Sequence, residues 1–146
     1  AKSWPVSATN SIENIESEIR KYAAEDWIDL PGFIERKDQI QLYQRANLLV
    51  APSRREGWNM TITEAAACGT SAIATKIPGH LDAVIDQETG LLVEDDTEMA
   101  EAVIAALLDD NQRSEMEINA VKHAKNFQWD HTAAIILNAM MIKIQF

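Results

Sequence analysis

The chain has 146 residues, 47% of them hydrophobic, which is enough for one domain with a substantial core. Thirteen basic against twenty-three acidic residues leave a formal net charge of −10, a balance that disfavours nucleic acid and anionic membrane surfaces, where affinity rests on neutralising phosphates. A single cysteine, Cys68, rules out an internal disulfide framework; no apolar run approaches the ~18 residues of a membrane span and no signal-peptide pattern opens the chain, so a cytoplasmic location is expected.

In chain order, residues 1–10, AKSWPVSATN, hold no helical or alternating pattern and read as loop. Asn10 with Glu13 resembles a capping pair, and Ile12, Ile15, Ile19 and Tyr22 mark one face of a helix running to about Ala24. Ile28 to Leu30 reads as a short strand ended by Pro31-Gly32, Asp38 to Arg45 as a second helix, and the run LLVA at 48–51 as a buried parallel strand. Thr61 to Cys68 reads as an alanine-rich helix closed by Gly69 just past its last turn. Ala72 to Ala74 and Leu91 to Val93 are further strands, with a short helix between them at His80 to Val84. Met99, Val103, Ile104 and Leu107, then Val121, Ala124 and Phe127, repeat at helical spacing and are expected to cover the sheet. Asp130 is expected to cap a final helix whose Ala133, Ala134, Leu137, Met140 and Met141 form one apolar side. The alternation implies an α/β, Rossmann-like parallel sheet flanked by helices, with ligands bound beyond the carboxyl ends of the strands, where the loop 52–58 lies.

Within SRREGWNMTITEAAACG, residues 53–69, Glu56 and Glu64 are separated by seven residues across a glycine turn that opens a helix. Gly57 lacks a Cβ, which allows a sharp turn and the close approach of a ligand. The free amides of Asn59, Met60 and Thr61 then sit at a helix N-terminus, where each favourable anion contact is worth roughly 0.3 to 1 kcal/mol at exposed positions, and a diphosphate fits. Glu64, about one turn in, offers two carboxylate oxygens to the hydroxyls of a ribose, and Glu56 faces a sugar beyond the phosphates.

This segment resembles the Glu, seven residues, Glu signature of the retaining family 4 glycosyltransferases, the glycosyl transferases group 1, which have the two-domain GT-B fold. LPGFIERKDQIQLYQRANLLVAPS upstream, and GTSAIATKIPGHLDAV, TGLLVEDD and FQWDHTA downstream, match the family in order and spacing over most of the chain. The resemblance implies that residues 1–146 are the C-terminal, nucleotide-sugar-binding domain of a two-domain enzyme. By the same resemblance a first strand–helix unit with phosphate-pairing basic residues and an N-terminal acceptor domain lie outside the chain, which alone is expected to be inactive. It also implies that Glu64 binds the ribose and that the backbone at Asn59, Met60 and Thr61 holds the diphosphate. Glu56 contacts the transferred sugar as the catalytic candidate, with Gly57 and Trp58 beside the donor. Trp58 is compatible with the family pattern, and Ser71 replaces its common proline. No cofactor or metal is expected, since amides and basic side chains can stabilise a departing nucleotide diphosphate. In the family the closing helix packs toward the N-terminal domain; here its apolar side is expected to be partly exposed and to favour self-association.

The remaining candidates have plainer readings. His80, His123 and His131 are too scattered for a metal site, and His80 is expected to be solvated or helix-capping. Arg54, Arg55 and Lys76 read as solvated surface cations, and the closing methionines as core. Two rival classes remain: a related GT-B epimerase or phosphorylase, and a non-catalytic glycosyltransferase-like module whose acidic surface serves a partner.

Overall fold

The computed structural model describes residues 6–143, and the chain divides into two compact units between Ile34 and Glu35. In the first unit, helix α1 spans Val6–Lys21. It therefore begins before Asn10, so Asn10 lies inside the helix and is not its cap; residues 6–10 contain no glycine or proline to stop backbone pairing. The expected loop at 1–5 lies outside the described residues. Beyond α1 the Ala24 amide donates to the Ile19 carbonyl (2.9 Å) and the Ala23 amide to that of Arg20 (3.1 Å), while Ala23 takes φ 49°. This is a Schellman closure with alanine where glycine is usual. Ala24 is buried, and Ile15, Ile19, Tyr22, Trp27 and Ile28 line a groove around it, as the helical spacing of the first three predicts. The strand expected at 28–30 does not form: no ladder pairs with this stretch among the described residues, and an extended segment without a partner is not a strand.

The second unit is built on a three-stranded parallel sheet in the order β1 (Leu49–Ala51), β2 (Ala72–Thr75), β3 (Gly90–Val93), with Val50 opposite Ile73 and Ile73 opposite Leu91. Helix α2 spans Arg36–Arg45, α3 Met60–Ala67, α4 Pro78–Leu81, α5 Asp96–Leu108, α6 Asp110–Ala124 and α7 Trp129–Lys143, with a 3-10 turn at Lys125–Phe127. Successive strand residues point to opposite faces, so β2 and β3 each feed two cores, while β1 feeds one through Leu49 and Ala51. Ala72 and Ala74 pack with Ile62 of α3 and with Ala83 and Val84, while Ile73 and Val93 pack with Met99 and Ala106 of α5 and Met116 of α6. All of β2 is buried, as befits a central parallel strand; β1 is an edge, and Val50 is 43% exposed where burial was expected.

Helix ends follow their chemistry. Asp95 accepts from the amides of Thr97 and Glu98 to cap α5, and Asp109 accepts from those of Asn111 and Gln112 to cap α6. Gly69, at φ 95°, closes α3 as predicted, with the Thr70 amide on the Ala65 carbonyl at 2.9 Å. Asp130 does not cap α7 but lies in its first turn, where its charge suits the helix dipole; the Gln128 carbonyl accepts from Thr132 at the point of entry. On α5 the sheet-facing side is Met99, Ala102, Val103 and Ala106, whereas Ile104 and Leu107 are exposed, contrary to the periodic reading. Small residues lie closest to the sheet because they let the helix approach it. Leu137, Met140 and Met141 of α7 are more than half exposed, together with Ile135 and Ile136, so these closing methionines are not core. No described helix is long and apolar enough to cross a membrane.

Candidate functional site

The loop 52–59 leaves the carboxyl end of β1 and enters α3, so the two glutamates lie on either side of one helix start. Glu56 is exposed, and its Oε1 accepts from Ser53 Oγ at 3.0 Å. The Ser53 carbonyl in turn accepts from Thr75 Oγ1 at the end of β2, tying the loop to the central strand. Gly79 fixes the loop from the other side, since a Cβ there would lie 2.6 Å from the Glu56 carbonyl oxygen. Gly57 needs no glycine for its own backbone: its φ is not left-handed and a Cβ would meet nothing within 4 Å. The chain does bend at this residue, as read from the sequence, but the missing Cβ matters there only for the open space beside it.

Glu64 lies in the second turn of α3, its side chain 23% exposed, and its Oε1 is 2.8 Å from Arg36 Nη1 on α2. Both line a cavity of about 500 Å³ whose walls include Ile40, Met60, Val121 and Phe127. One carboxylate oxygen thus meets a guanidinium, which leaves the second able to accept from a ligand hydroxyl. Trp58 stacks edge-on against Phe127, with ring centroids 5.0 Å apart, and Phe127 meets His123 in the same way at 4.9 Å. Trp58 is therefore anchored to the 3-10 turn that follows α6, beside the site.

Asn59 takes extended N-cap dihedrals, φ −90° and ψ 92°, yet its side chain makes no cap hydrogen bond to α3. Its amide reaches His80 instead, with Nδ2 to Nε2 at 3.1 Å. His80 is fully buried, not solvated or capping as the sequence suggested, and its ring is held from two sides, by Asn59 and by Thr75. Its Nδ1 lies 2.8 Å from the Thr75 carbonyl and 3.3 Å from Thr75 Oγ1. A carbonyl can only accept, so Nδ1 carries the proton and Nε2 is left to accept from Asn59. The α3 amides of Met60 and Thr61 are thereby left without a side-chain cap.

The nearby cations are mostly engaged or solvated. Arg54 and Arg55 are exposed. Lys76 pairs with Glu94 at 2.9 Å, and the hydrogen bond and charge of that carboxylate hold its ammonium above the usual lysine range. Among the described residues no three His, Cys, Asp or Glu side chains converge where a metal could sit.

The family model described as glycosyl transferases group 1 matches residues 9–123. The chain belongs to this family. Among similar group 1 glycosyltransferases is the D-inositol 3-phosphate glycosyltransferase of Acidothermus cellulolyticus, 37% identical over 99 residues that make up 67% of this chain and 22% of that protein. The chain thus spans about a fifth to a third of the length of the curated relatives it matches. Among solved structures, sucrose-phosphate synthase from Thermosynechococcus elongatus is 31% identical with a TM-score of 0.78, covering 91% of this chain and 33% of its own. The Anabaena HepE protein, solved with UDP, shares the fold at 21% identity with a TM-score of 0.80, covering 95% of this chain and 38% of its own. These neighbours and the helix-flanked parallel sheet make this group 1 glycosyltransferase chain part of the C-terminal half of a GT-B fold.

Local sequence reading found the glutamates and the helix start but missed what holds them. Arg36, Ser53, Thr75 and Gly79 carry no motif of their own in isolation, and only the tertiary fold brings them to Glu64 and Glu56.

Proposed function

We propose that residues 1–146 form the donor-binding domain of a two-domain glycosyltransferase that transfers a sugar from a nucleotide diphosphate sugar to an acceptor with retention of anomeric configuration. The acceptor domain belongs to the full-length parent, and this chain alone does not turn over. The observation that carries the reading is the pair Glu56 and Glu64 on either side of a helix start whose N-cap side chain is turned away. Family membership and the UDP bound by HepE support it.

In this reading the α3 amides at Asn59, Met60 and Thr61 bind the diphosphate and stabilise the charge that develops as it departs, which removes the need for a metal. Glu64 accepts from the ribose hydroxyls with the oxygen not committed to Arg36. Glu56 orients the transferred sugar or stabilises positive charge on its ring, with Gly57 and Trp58 beside it. Retention requires acceptor and leaving group on the same face of the sugar. A sugar adduct trapped on Glu56 would show nucleophilic attack instead of positioning. Self-association through the exposed apolar residues of α7 belongs to the same proposal, and sedimentation velocity on Leu137→Glu tests it.

Calorimetric titration with UDP, GDP and ADP, each alone and as its sugar conjugate, tests the reading. Saturable binding that weakens about tenfold or more in Glu64→Ala is expected, as for loss of a charged hydrogen-bond partner. Unchanged affinity sinks the role of Glu64, and a chain that folds but binds none of the six favours a non-catalytic module.

A further inference from the structure

We propose that His80 is a positioning residue that keeps the N-terminus of α3 open for the donor by holding the side chain of Asn59 away from it. The proposal rests on the donor-binding reading above.

Asparagine is among the strongest N-cap residues, and Asn59 already has the extended backbone that a capping side chain needs. The Ile62 amide is already taken by the Asn59 carbonyl at 3.1 Å. Left free, the Asn59 side chain would turn onto the amide of Thr61, one of those a donor phosphate would use. It does not, because Nδ2 donates to His80 Nε2 at 3.1 Å. That acceptor exists only because the His80 proton sits on Nδ1, held there by the Thr75 carbonyl at 2.8 Å. The ring is fully buried, so no solvent competes for either nitrogen. Thr75 also donates through Oγ1 to the Ser53 carbonyl, and Ser53 Oγ donates to Glu56. The end of β2 thus sets both sides of the helix start: Glu56 through the loop and Asn59 through the imidazole. The neighbouring Gly79 completes this by admitting the Glu56 backbone at a distance that no side chain would permit.

The test separates this role from mere packing by the sign of a double substitution. UDP, GDP and ADP are titrated into the wild-type chain, His80→Phe, Asn59→Ala and the double variant, with cooperative unfolding checked for each. His80→Phe keeps a ring but frees Asn59 to cap α3, and the tightest of the three nucleotides should bind about fivefold or more weakly, the size of a capping interaction. Adding Asn59→Ala removes the competing cap and should restore affinity to within about twofold of wild type. A purely structural role predicts no such rescue, and unchanged affinity in His80→Phe or a further loss in the double variant overturns the proposal. Should His80→Phe fail to fold, ¹⁵N NMR of the wild-type imidazole decides: Nδ1 must be protonated and Nε2 bare, and a proton on Nε2 breaks the tie to Asn59. A wild-type chain that binds none of the nucleotides sinks the donor-binding reading and this proposal together, whereas binding that ignores His80 sinks this proposal alone.

Discussion

A Cβ added to Gly79 would lie 2.6 Å from the carbonyl oxygen of Glu56 and 2.9 Å from its Cβ. The contact is with backbone, so no flexible side chain can yield, and an alanine there must push the loop 53–56 outward. Gly79→Ala should cost about 1 to 3 kcal/mol of stability, the range for overpacking. If Glu56 contacts the transferred sugar, the same variant should weaken binding of the sugar conjugate more than that of the bare nucleotide. Urea unfolding and paired titrations measure the two effects, and equal loss for both ligands would count against a sugar contact at Glu56.

Ser71, at the entry to β2, is fully buried, and its Oγ has no hydrogen-bond partner among the described residues. A buried hydroxyl without a partner costs about 1 to 3 kcal/mol relative to leaving it in water. Ser71→Ala removes the hydroxyl and little else, so the urea midpoint should rise by the equivalent of about 1 kcal/mol with an unchanged slope. A lower midpoint would mean that the hydroxyl is satisfied in solution.

The strand within 48–51, the alanine-rich helix read from Thr61 and its closure at Gly69 were legible in the sequence because their determinants are local: a short apolar run, strong helix formers and a glycine, found at φ 95°. Reading α5 by its large side chains picked Ile104 and Leu107, which are exposed, and passed over Ala106, which is buried because its size admits the sheet. The strand expected at 28–30 failed for a related reason, since pairing is a property of two segments and the apolar pattern of one cannot reveal it. At the candidate site, the spacing of Glu56 and Glu64 was visible, but not the burial of His80 or its hydrogen bond to Asn59, twenty-one positions away in the chain. A histidine beside a glycine carries no local mark of being buried.

The Lys76–Glu94 pair makes a pH prediction. The hydrogen bond and charge of Glu94 raise the folded-state pKa of Lys76 above the ordinary 10.5. A raised folded-state pKa means that the pair's contribution is fully present below 10.5 and is lost as pH climbs through the folded value. Both side chains are largely solvated, so the contribution at neutral pH is small and salt-sensitive. The Tm difference between wild type and Lys76→Met should therefore stay level through neutral and mildly alkaline pH and shrink toward zero above 10.5. A difference that grows with alkalinity contradicts the pairing.

Ala23 closes α1 at φ 49°, a left-handed conformation that an L side chain adopts at a cost of roughly 1 to 2 kcal/mol. Glycine would relieve that strain while giving the unfolded chain more conformational freedom to lose on folding, a partial offset of about 0.5 to 1 kcal/mol. The net gain from Ala23→Gly should be about 0.5 to 1 kcal/mol, confined to the unit that holds α1. Amide exchange resolves such a local effect better than global unfolding does. The reporter is the Ala24 amide, which donates to the Ile19 carbonyl at 2.9 Å and is broken whenever the closure opens. Its protection should increase about two- to fivefold, matching that free energy, while amides of β2 remain unchanged. Equal shifts in both places would mean that the two units open together, and no shift at Ala24 would mean that the left-handed residue carries no strain.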